Sequence, residues 1–403
     1  MKLDGVRVID LSLFLPGPHM TQLMQDQGAE VICVEPPPDG EPARKLGPVK
    51  DGHTPWFRNM HRGKKSICLN LKKPEAKDVL LRLCETADVF VEAFRPGVTK
   101  RLGIDYQQLK TINPRIVYCS ITAFGQYGPY SDRPAHDLSV QAMAGLLSVN
   151  LGMDGKPALP GVPASDMAAS LMALSGIMMA LYRSKETGKG DYIDMSMQDA
   201  LLSWTSNVIG PVFAENKAHD VKNERGWGGR GFYNVYETAD DRYLTLSGNE
   251  PKFVENLLSA LERPDLIKLG KSDPGSHQAP LIDFLRTTFK AKTLSQWHDW
   301  FSQKDVCYGE MLDIKEAFED EHVREREMIL SDEAGNKHIG IPIKYTDEPG
   351  TVVFDVPQLN DDADSVLKSI GASTQEIENF HRSGIMPAKQ TPASEQKNKK
   401  ETK

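Results

Sequence analysis

The 403-residue sequence is poor in cysteine, and its cysteines are not paired at the spacing of a metal or redox site. They are scattered, mostly in apolar runs, at Cys33, Cys68, Cys84, Cys119 and Cys307. Structural zinc sites usually show CxxC pairs or His partners at fixed spacing. We therefore predict buried thiols and no metal site.

An N-terminal leader and long uncharged apolar runs are also lacking. Residues 1–8 contain no charged segment followed by an apolar stretch, which predicts a cytoplasmic protein without a secretory signal. The most apolar segment, residues 167–182, is shorter than the roughly 20 residues that cross a bilayer, so we interpret it as a buried core helix. The formal charge of −8 predicts no general attraction to nucleic acid or membranes. An anionic ligand would need a local basic cluster.

Two nucleotide-binding motifs are missing as well. The turn after the first predicted strand lacks GxGxxG, and GxxxxGK[ST] does not occur. Residues 226–231 have the letters of GxGxxG, but the predicted element that follows is a strand where a helix is required. Neither nicotinamide binding nor nucleoside triphosphate hydrolysis is indicated.

The first 125 or so residues alternate short β-branched runs with helical segments, which predicts a parallel, doubly wound sheet in a Rossmann-like α/β domain. The predicted helices include residues 19–27 and 74–86. The predicted strands are residues 6–11, 30–35, 66–71, 88–94 and 116–122.

The later sequence predicts a smaller α+β domain. A hairpin over residues 232–236 and 243–246 is followed by helices over 252–261 and 281–301, and short strands return near 339–345 and 351–354. Ser373 and Glu376 match the capping box of a last helix. The predicted organisation is a large domain over 1–200, a linker over 201–230, a small domain over 231–320, a return to the large domain over 321–386, and a disordered tail over 387–403.

Basic and proline-glycine segments lie at the predicted strand ends. Pro16-Gly17-Pro18 opens a helix, and a helix N-terminus can bind phosphate, although a stiff strand-to-helix turn explains it equally. Residues 61–65 (HRGKK) precede the third strand, and residues 95–101 (RPGVTKR) follow the fourth. Such clusters can be solvated surface, but two in an acidic chain are typical of a phosphate-rich ligand such as a nucleotide or coenzyme A.

Three residues are candidates for catalysis. His136-Asp137 precedes an apolar helical run that Asp137 could cap. Asp166 lies 30 residues after His136, just before the apolar segment 167–182. Glu250 stands between a hairpin strand and a helix. Each has an ordinary structural interpretation as a cap or a half-buried side chain. Together they could transfer a proton to and from one carbon, or Asp166 alone could attack a thioester. The pattern does not choose between these.

The sequence resembles the CoA-transferase family III, which also contains alpha-methylacyl-CoA racemase. The resemblance runs from about residue 1 to 386. It is carried by LDGVRVIDLS at the start, PGP at 16–18, GAEVICVEPP at 28–37, RGKKSICLNLK at 62–72, FRPGVTKRLGI at 94–104, ITAFGQYGPY at 121–130, HDLSVQAMAGL at 136–146, and the stretch from SDMAAS at 165–170 to ALYRSKETGKGDYIDMSMQDA.

Family resemblance implies an acyl-CoA substrate, no tightly bound cofactor, and an interlocked, ring-like homodimer. It implies that Asp166 is the catalytic aspartate, with His136 and Glu250 in the same site. The residues it implies along CoA are Pro16, Gly17, Arg62, Lys64, Leu71, Phe94, Arg95 and Arg101.

Two activities occur in this family. In racemases, Asp166 and His136 would be acid and base at the α-carbon, with Glu250 resembling the racemase glutamate in NEPKF, and we favour this interpretation. In transferases, Asp166 would carry CoA as a thioester between carboxylic acids. Residues 226–231 (GWGGRG) resemble a shortened form of the transferase glycine loop and leave that alternative open.

Overall fold

The computed structural model describes residues 1–152 and 154–387 and divides the chain into two compact units. The first contains Met1–Ala144, Val162–Trp204 and the described residues from Glu321 onward. The second contains Gly145–Gly161 and Thr205–Asp320. The second unit thus includes 145–161, which the sequence predicts in the large domain, and 205–230, which it predicts as a linker. Residues 388–403 of the predicted tail lie outside the described residues.

The strands of the described chain are short, and the first five of them are mostly buried. They are β1 Arg7–Asp10, β2 Glu30–Glu35, β3 Lys65–Cys68, β4 Val89–Glu92, β5 Val117–Thr122, β6 Tyr192–Ser196, β7 Asn234–Glu237, β8 Tyr243–Leu246, β9 Tyr308–Glu310, β10 Ile329–Ser331 and β11 Lys337–Ile339.

The helices vary from single turns to one long helix, α8. They are α1 Pro16–Gln25, α2 Pro55–His61, α3 Pro74–Glu85, α4 Val98–Leu102, α5 Tyr106–Ile112, α6 Asp137–Met143, α7 Leu146–Val149, α8 Ala164–Thr187, α9 Met197–Ser203, α10 Gly210–Glu215, α11 Pro251–Ala260, α12 Ile267–Gly270, α13 Ala279–Phe289, α14 Leu294–Phe301, α15 Ile314–Glu319, α16 Glu321–Glu325, α17 Ala363–Ser369 and α18 Thr374–Arg382.

A six-stranded parallel sheet forms the centre of the first unit, in the order β3-β2-β1-β4-β5-β6. Ile9 on β1 lies opposite Ile32 on β2 and Phe90 on β4, and all three side chains are fully buried. Strands covered on both faces are apolar almost throughout, which explains the continuous Val and Ile runs. The strand order reverses between β1 and β4. In open α/β sheets, ligands bind beyond the carboxyl ends of the strands at such a reversal.

The predicted α/β class and the first five strands are confirmed; β2 has the predicted bounds, and the ends of the other four strands differ by at most three residues. The sixth strand, β6, was missed because residues 192–196 lie within a longer apolar segment that predicts a helix equally well. Near 339–345 the structure has only the short β11, paired with β10, and residues 351–354 form no strand, so those two predictions were wrong. The capping box of Ser373 and Glu376 is present at α18.

The second unit has an antiparallel sheet in the order β7-β8-β9, and helices pack on it. The predicted hairpin is confirmed, with Tyr236 opposite Leu244. The predicted helix over 281–301 is instead two helices, α13 and α14, because Thr293 caps a new helix start with a capping box. The core of the second unit contains Phe232, Tyr236, Phe289 and Trp297 among other apolar side chains.

The long helix α8 is buried along one face only. Among the described residues it is the one helix whose length and composition would suffice to cross a membrane, and 39% of its most apolar window is buried. Met179 and Tyr182 are 67% and 70% exposed, and Leu171 and Met172 are exposed as well. The prediction of a buried core helix was therefore wrong for this face.

Candidate active site

The turn between β1 and α1 is built around a buried carboxylate, Asp10. Its Oδ1 accepts hydrogen bonds from the amide and the hydroxyl of Ser12, and its Oδ2 accepts one from Thr21. A Cβ on Gly17 would lie 2.0 Å from Ser12 Oγ, so this close approach requires glycine. Pro16, at the first position of α1, has no N–H to leave unpaired. The predicted residues Pro16 and Gly17 thus form a rigid turn at the strand-order reversal.

The turn after β4 ends at the same edge of the sheet. Glu92, the last residue of β4, is buried and accepts hydrogen bonds from the Phe94 amide (2.7 Å) and from the Ser120 hydroxyl. Burial raises the pKa of Glu92 to about 7. Beyond Phe94, the side chains of Arg95 and Arg101 are exposed, and neither has a carboxylate within 4.0 Å in the described part of the chain. These two cations are available to an anionic ligand.

Arg62 and Lys64, also predicted along CoA, have their charges satisfied inside the first unit. Arg62 Nη2 donates to Asp26 Oδ2 at 2.7 Å, and the side chains of this pair are 2% and 3% exposed. Lys64 Nζ donates to the Pro18 carbonyl (2.9 Å) and to Thr21 Oγ1 (2.8 Å). Both side chains thus connect separate segments of the first unit. Lys64 is buried and donates its hydrogen bonds to residues of α1. Leu71 packs partly buried against the core of this unit.

Asp137, which follows His136 in the sequence, is hydrogen-bonded to the backbone of Asp166. His136 is the exposed N-cap residue of α6, and its side chain makes no capping hydrogen bond. Asp137 Oδ1 accepts from the Ser165 amide at 2.8 Å, from the Ser165 hydroxyl at 2.6 Å and from the Asp166 amide at 3.3 Å. Asp137 therefore pairs two N–H groups at the start of α8, whereas the sequence predicts it as the cap of its own helix, α6. The starts of α6 and α8 are held side by side.

Asp166 lies in the first turn of α8, half-buried. Burial, with a smaller contribution from the negative charge of Asp137, raises the pKa of Asp166 to about 7. A carboxyl group with this pKa is present in both protonation states near neutral pH and can act as an acid or a base. Its predicted helix-capping role is taken by Asp137 instead, which leaves the Asp166 carboxyl free of protein hydrogen bonds among the described residues.

A second buried acid, Glu41, holds the backbone of Phe14, whose ring contacts His136. Glu41 Oε1 accepts from the Phe14 amide (2.9 Å), and Phe14 has φ +64°, rare for a non-glycine residue. The Phe14 ring meets the His136 ring edge-on, with centroids 6.3 Å apart. Burial raises the pKa of Glu41 to about 7. Sequence reasoning missed this contact, although Glu41-Pro42 has the form of a cap followed by proline at a helix start.

His19 is a further side chain near Asp166, and no motif in the sequence points to it. Its Nδ1 lies 2.7 Å from Ser170 Oγ, one turn along α8 from Asp166, and this contact fixes α1 against α8. Burial and the nearby Lys64 charge lower the pKa of His19. The imidazole is thus held neutral between the PGP turn and the Asp166 helix.

Glu250 belongs to the second unit, where it is the exposed N-cap residue of α11. It lines a cavity together with Arg225, Arg230, Ser247 and Asn249. The predicted site residues therefore fall in both units, with His136 and Asp166 brought together in the first.

No group of three or more His, Cys, Asp or Glu side chains among the described residues could hold a metal ion. Four of the cysteines are buried as predicted, and Cys307 is partly exposed.

A family model for CoA-transferase family III matches residues 3–363. The chain belongs to this family. Its members act on CoA thioesters, so an enzyme that is either a CoA-transferase or an acyl-CoA racemase is indicated.

Similar curated proteins include both kinds of enzyme. An acetyl-CoA:oxalate CoA-transferase of Acetobacter aceti is 33% identical over 86% of this chain and 90% of its own length. The human succinyl-CoA:glutarate CoA-transferase is 32% identical over 81% of this chain and 76% of its own. The human alpha-methylacyl-CoA racemase is 30% identical over 98% of this chain and 100% of its own.

Solved structures agree on the fold. A CAIB/BAIF family protein from Brucella suis superposes with a TM-score of 0.79 at 28% identity, covering 91% of this chain and 98% of that chain. Rv3272 from M. tuberculosis gives the same TM-score and identity, covering 91% and 99%.

Proposed function

We propose that the chain is an acyl-CoA racemase that moves the α-proton of a 2-methylacyl-CoA from one face of the carbon to the other. The observation that carries the proposal is the pairing of an acid and an imidazole at two adjacent helix starts. Asp137 joins the start of α8, which carries Asp166, to His136 at the start of α6. Inversion of a carbon by proton transfer needs two such groups, one on each face.

Each proton transfer then has an assigned group. In one direction the Asp166 carboxylate removes the α-proton and His136, protonated, delivers a proton to the opposite face; the reverse direction exchanges these roles. The intermediate is a thioester enolate, whose oxygen requires hydrogen-bond donors. A pKa of about 7 at Asp166 keeps both its forms populated, as a reversible reaction demands.

The comparison with the human racemase supports the same activity. That match extends over 98% of this chain and the whole relative, including the segment with Glu250. We propose that Glu250 contributes to the same activity, in keeping with its resemblance to the racemase glutamate.

CoA transfer is the second candidate, favoured by the oxalate and glutarate CoA-transferases among the relatives. Here the Asp166 carboxylate attacks the thioester carbonyl and releases CoA as a thiolate, forming an anhydride. The thiolate then attacks the aspartyl carbonyl, which frees the first acid and leaves an aspartyl thioester for the acceptor carboxylate. His136 has no required proton transfer in this sequence.

The experiment that separates the two candidates is incubation with (S)-2-methylbutanoyl-CoA in deuterated water without an acceptor acid. We expect α-deuterium and the R epimer, followed by mass spectrometry and chiral analysis. A protein that gives neither, but exchanges CoA and forms an aspartyl adduct once carboxylic acids are added, is a transferase and contradicts the proposal.

We also propose that CoA lies along the PGP turn, Arg95 and Arg101, at the strand-order reversal. The exposed cations there can pair with phosphates through charge-assisted hydrogen bonds. Binding should weaken on Arg95→Gln and Arg101→Gln, measured by calorimetry, and should fall as salt is raised. If both variants bind CoA with the affinity of the parent protein, CoA does not lie along these arginines.

A homodimer in the cytoplasm is the form in which we propose the enzyme works. The exposed apolar face of α8 supports the dimer, because apolar patches of this kind commonly mark subunit contacts. Light scattering after size exclusion should give twice the 44.8 kDa chain mass. A monomer at micromolar concentration would contradict this.

A further inference from the structure

Glu41 is a buried acid without a paired cation. It is 1% exposed, and no Lys, Arg or His nitrogen lies within 4.0 Å of its carboxyl group in the described part of the chain. Its Oε2 is buried without a hydrogen-bond partner among the same residues. Burying a carboxyl group in this way is unfavourable. The contribution of Glu41 to the structure therefore lies in the hydrogen bonds that its other oxygen accepts.

Two backbone amides donate to Glu41 Oε1, one local and one distant. The Ala43 amide, at 3.2 Å, belongs to the single turn Pro42–Lys45 that Glu41 caps. The Phe14 amide, at 2.9 Å, comes from 27 residues earlier, in the turn between β1 and α1. The preferred capping residues Asp, Asn, Ser and Thr are shorter than glutamate. A local cap does not require the length of Glu41, whereas the distant contact with Phe14 uses it.

The backbone of Glu41 is itself held in place. Its amide donates to Glu35 Oε2 at 2.8 Å, and Glu35 pairs with Arg44 at 2.6 Å. Gly40 has φ +73°, and a Cβ there would lie 2.5 Å from Glu35 Oε2. The acceptor oxygen that faces Phe14 is therefore carried by a segment with little freedom to move.

Phe14 has a backbone conformation that its own side chain disfavours. Its φ of +64° lies in the left-handed region, where large side chains are rare. The hydrogen bond from its amide to Glu41 holds the chain in this conformation. The backbone conformation sets the direction of the side chain, and here the ring meets the His136 ring edge-on, with centroids 6.3 Å apart and planes at 88°. Disfavoured backbone that its surroundings maintain clusters at functional sites.

The His136 imidazole is not fixed by hydrogen bonds. It is exposed, and its side chain makes no hydrogen bond within the described residues. The contact with the Phe14 ring has the edge-to-face geometry and the separation of a stabilising aromatic pair. A small misplacement of a reacting group lowers the rate steeply. The orientation of this imidazole therefore depends on where Phe14 is held.

We propose that Glu41 is a positioning residue, which holds the Phe14 ring against His136 and thereby fixes the imidazole for proton transfer. Glu41 acts through Phe14 and exchanges no proton with the substrate. The catalytic consequence rests on the proposed function, whereas the orientation of His136 does not. The two can be measured separately.

The first arm follows the His136 ring by NMR in the full-length protein with isotope-labelled histidine. Its signal is the one that disappears in His136→Ala. We expect Glu41→Ala and Glu41→Asp to move this signal toward its position in Phe14→Ala, because each loses the contact between the two rings. Glu41→Gln, which keeps an acceptor oxygen at the same reach, should leave the signal in place.

Glu41→Asp separates reach from charge. It keeps the carboxylate and the local cap, so it should fold even if Glu41→Ala does not. Asp39→Ala is the matched control, because it removes an equal charge from an exposed pair with Lys45 two residues away. If the His136 signal of Glu41→Asp or of Phe14→Ala coincides with that of the parent protein, the inference is overturned.

The second arm measures α-deuterium exchange of R and S 2-methylbutanoyl-CoA separately. The enantiomer that His136→Ala no longer exchanges is the one that His136 deprotonates. We expect Glu41→Asp and Phe14→Ala to lower kcat/KM for this enantiomer by about tenfold or more and to change exchange of the other enantiomer little. The double variant should lose no more than Phe14→Ala alone, because both changes act through one ring. Asp39→Ala should match the parent protein for both enantiomers.

The outcomes distinguish this inference from the proposed function. If Glu41→Asp lowers exchange of both enantiomers equally, or if the losses in the double variant multiply, Glu41 has a merely structural role and this inference alone fails. If the parent protein exchanges neither enantiomer, the proposed function is contradicted, and the NMR arm still decides whether Glu41 positions His136.

Discussion

Removing the Asp137 side chain should loosen the start of α8 and change the titration of Asp166 together. Loss of a helix cap costs about 1 kcal/mol. The buried Ser165 hydroxyl also loses its 2.6 Å acceptor, which costs about 1–2 kcal/mol more. We therefore expect Asp137→Ala to lower the free energy of unfolding by about 2–3 kcal/mol, and Asp137→Asn, which keeps an acceptor oxygen, by about 1 kcal/mol.

The assay is urea denaturation followed by circular dichroism, alongside the pH dependence of α-deuterium exchange. With a slope of about 2–3 kcal/mol per molar urea, the midpoint of Asp137→Ala should fall by about 1 M. In Asp137→Asn the pKa of Asp166 should drop below about 7, because one negative neighbour is removed, yet stay raised, because burial is the larger cause. The base form of Asp166 then persists to lower pH, and the acid limb of the rate profile moves to lower pH.

The exposed Asp132 provides the control, since Asp132→Asn removes an equal charge in the loop just before α6. It should leave both the urea midpoint and the pH profile unchanged. The reasoning is refuted if Asp137→Ala unfolds at the same urea concentration as the parent protein, or if Asp137→Asn and Asp132→Asn shift the profile equally.

Three further results are expected. Arg62→Ala should lower stability by about 3–5 kcal/mol in urea denaturation, because it leaves the Asp26 carboxylate buried without its partner; a loss below 1 kcal/mol would show that the pair is not buried in solution. Gly17→Ala should cost about 1–3 kcal/mol, because the new Cβ meets Ser12 Oγ, and unchanged stability would refute the close approach. Glu41 binds a proton more tightly when folded, with a pKa of about 7 against 4.5 unfolded, so its contribution is present below pH 4.5 and lost as pH rises through 7. Glu41→Gln should therefore lose less stability than the parent between pH 5 and 8, measured by thermal denaturation; parallel curves would contradict this.

The parallel sheet could be predicted because its strands are short apolar runs separated by turn and helix signals. Residues 192–196 could not be assigned in the same way. The strand YIDMS is followed at once by a helix, with no turn residues between the two elements. The apolar segment 167–182 predicts a buried helix, but α8 exposes apolar side chains such as Met172 and Met179 on one face and buries others on the opposite face. Periodicity alone cannot say which face of such a helix the first unit covers.

The candidate site was only partly predictable, because a sequence pattern shows local structure but not which distant residue the fold places beside it. Sequence patterns made His136 and Asp166 candidates, and the family resemblance implied their catalytic role. The contact between Asp137 and Ser165 could not be predicted, because it depends on where α8 starts in space, 28 residues after Asp137. The basic cluster at 61–65 matched a phosphate site in sequence, yet Arg62 is neutralised by Asp26, 36 residues upstream. A run of basic letters carries no information about which partner the fold supplies.

The central claim, proton transfer by two groups on opposite faces, is tested most directly by following α-deuterium exchange separately from R and S substrate. We expect that His136→Ala and Asp166→Asn each lose epimerisation, while each still exchanges the α-proton of one enantiomer, and that the two variants prefer opposite enantiomers. If neither enantiomer exchanges in the parent protein, or if His136→Ala epimerises at the parent rate, the two-base account is wrong.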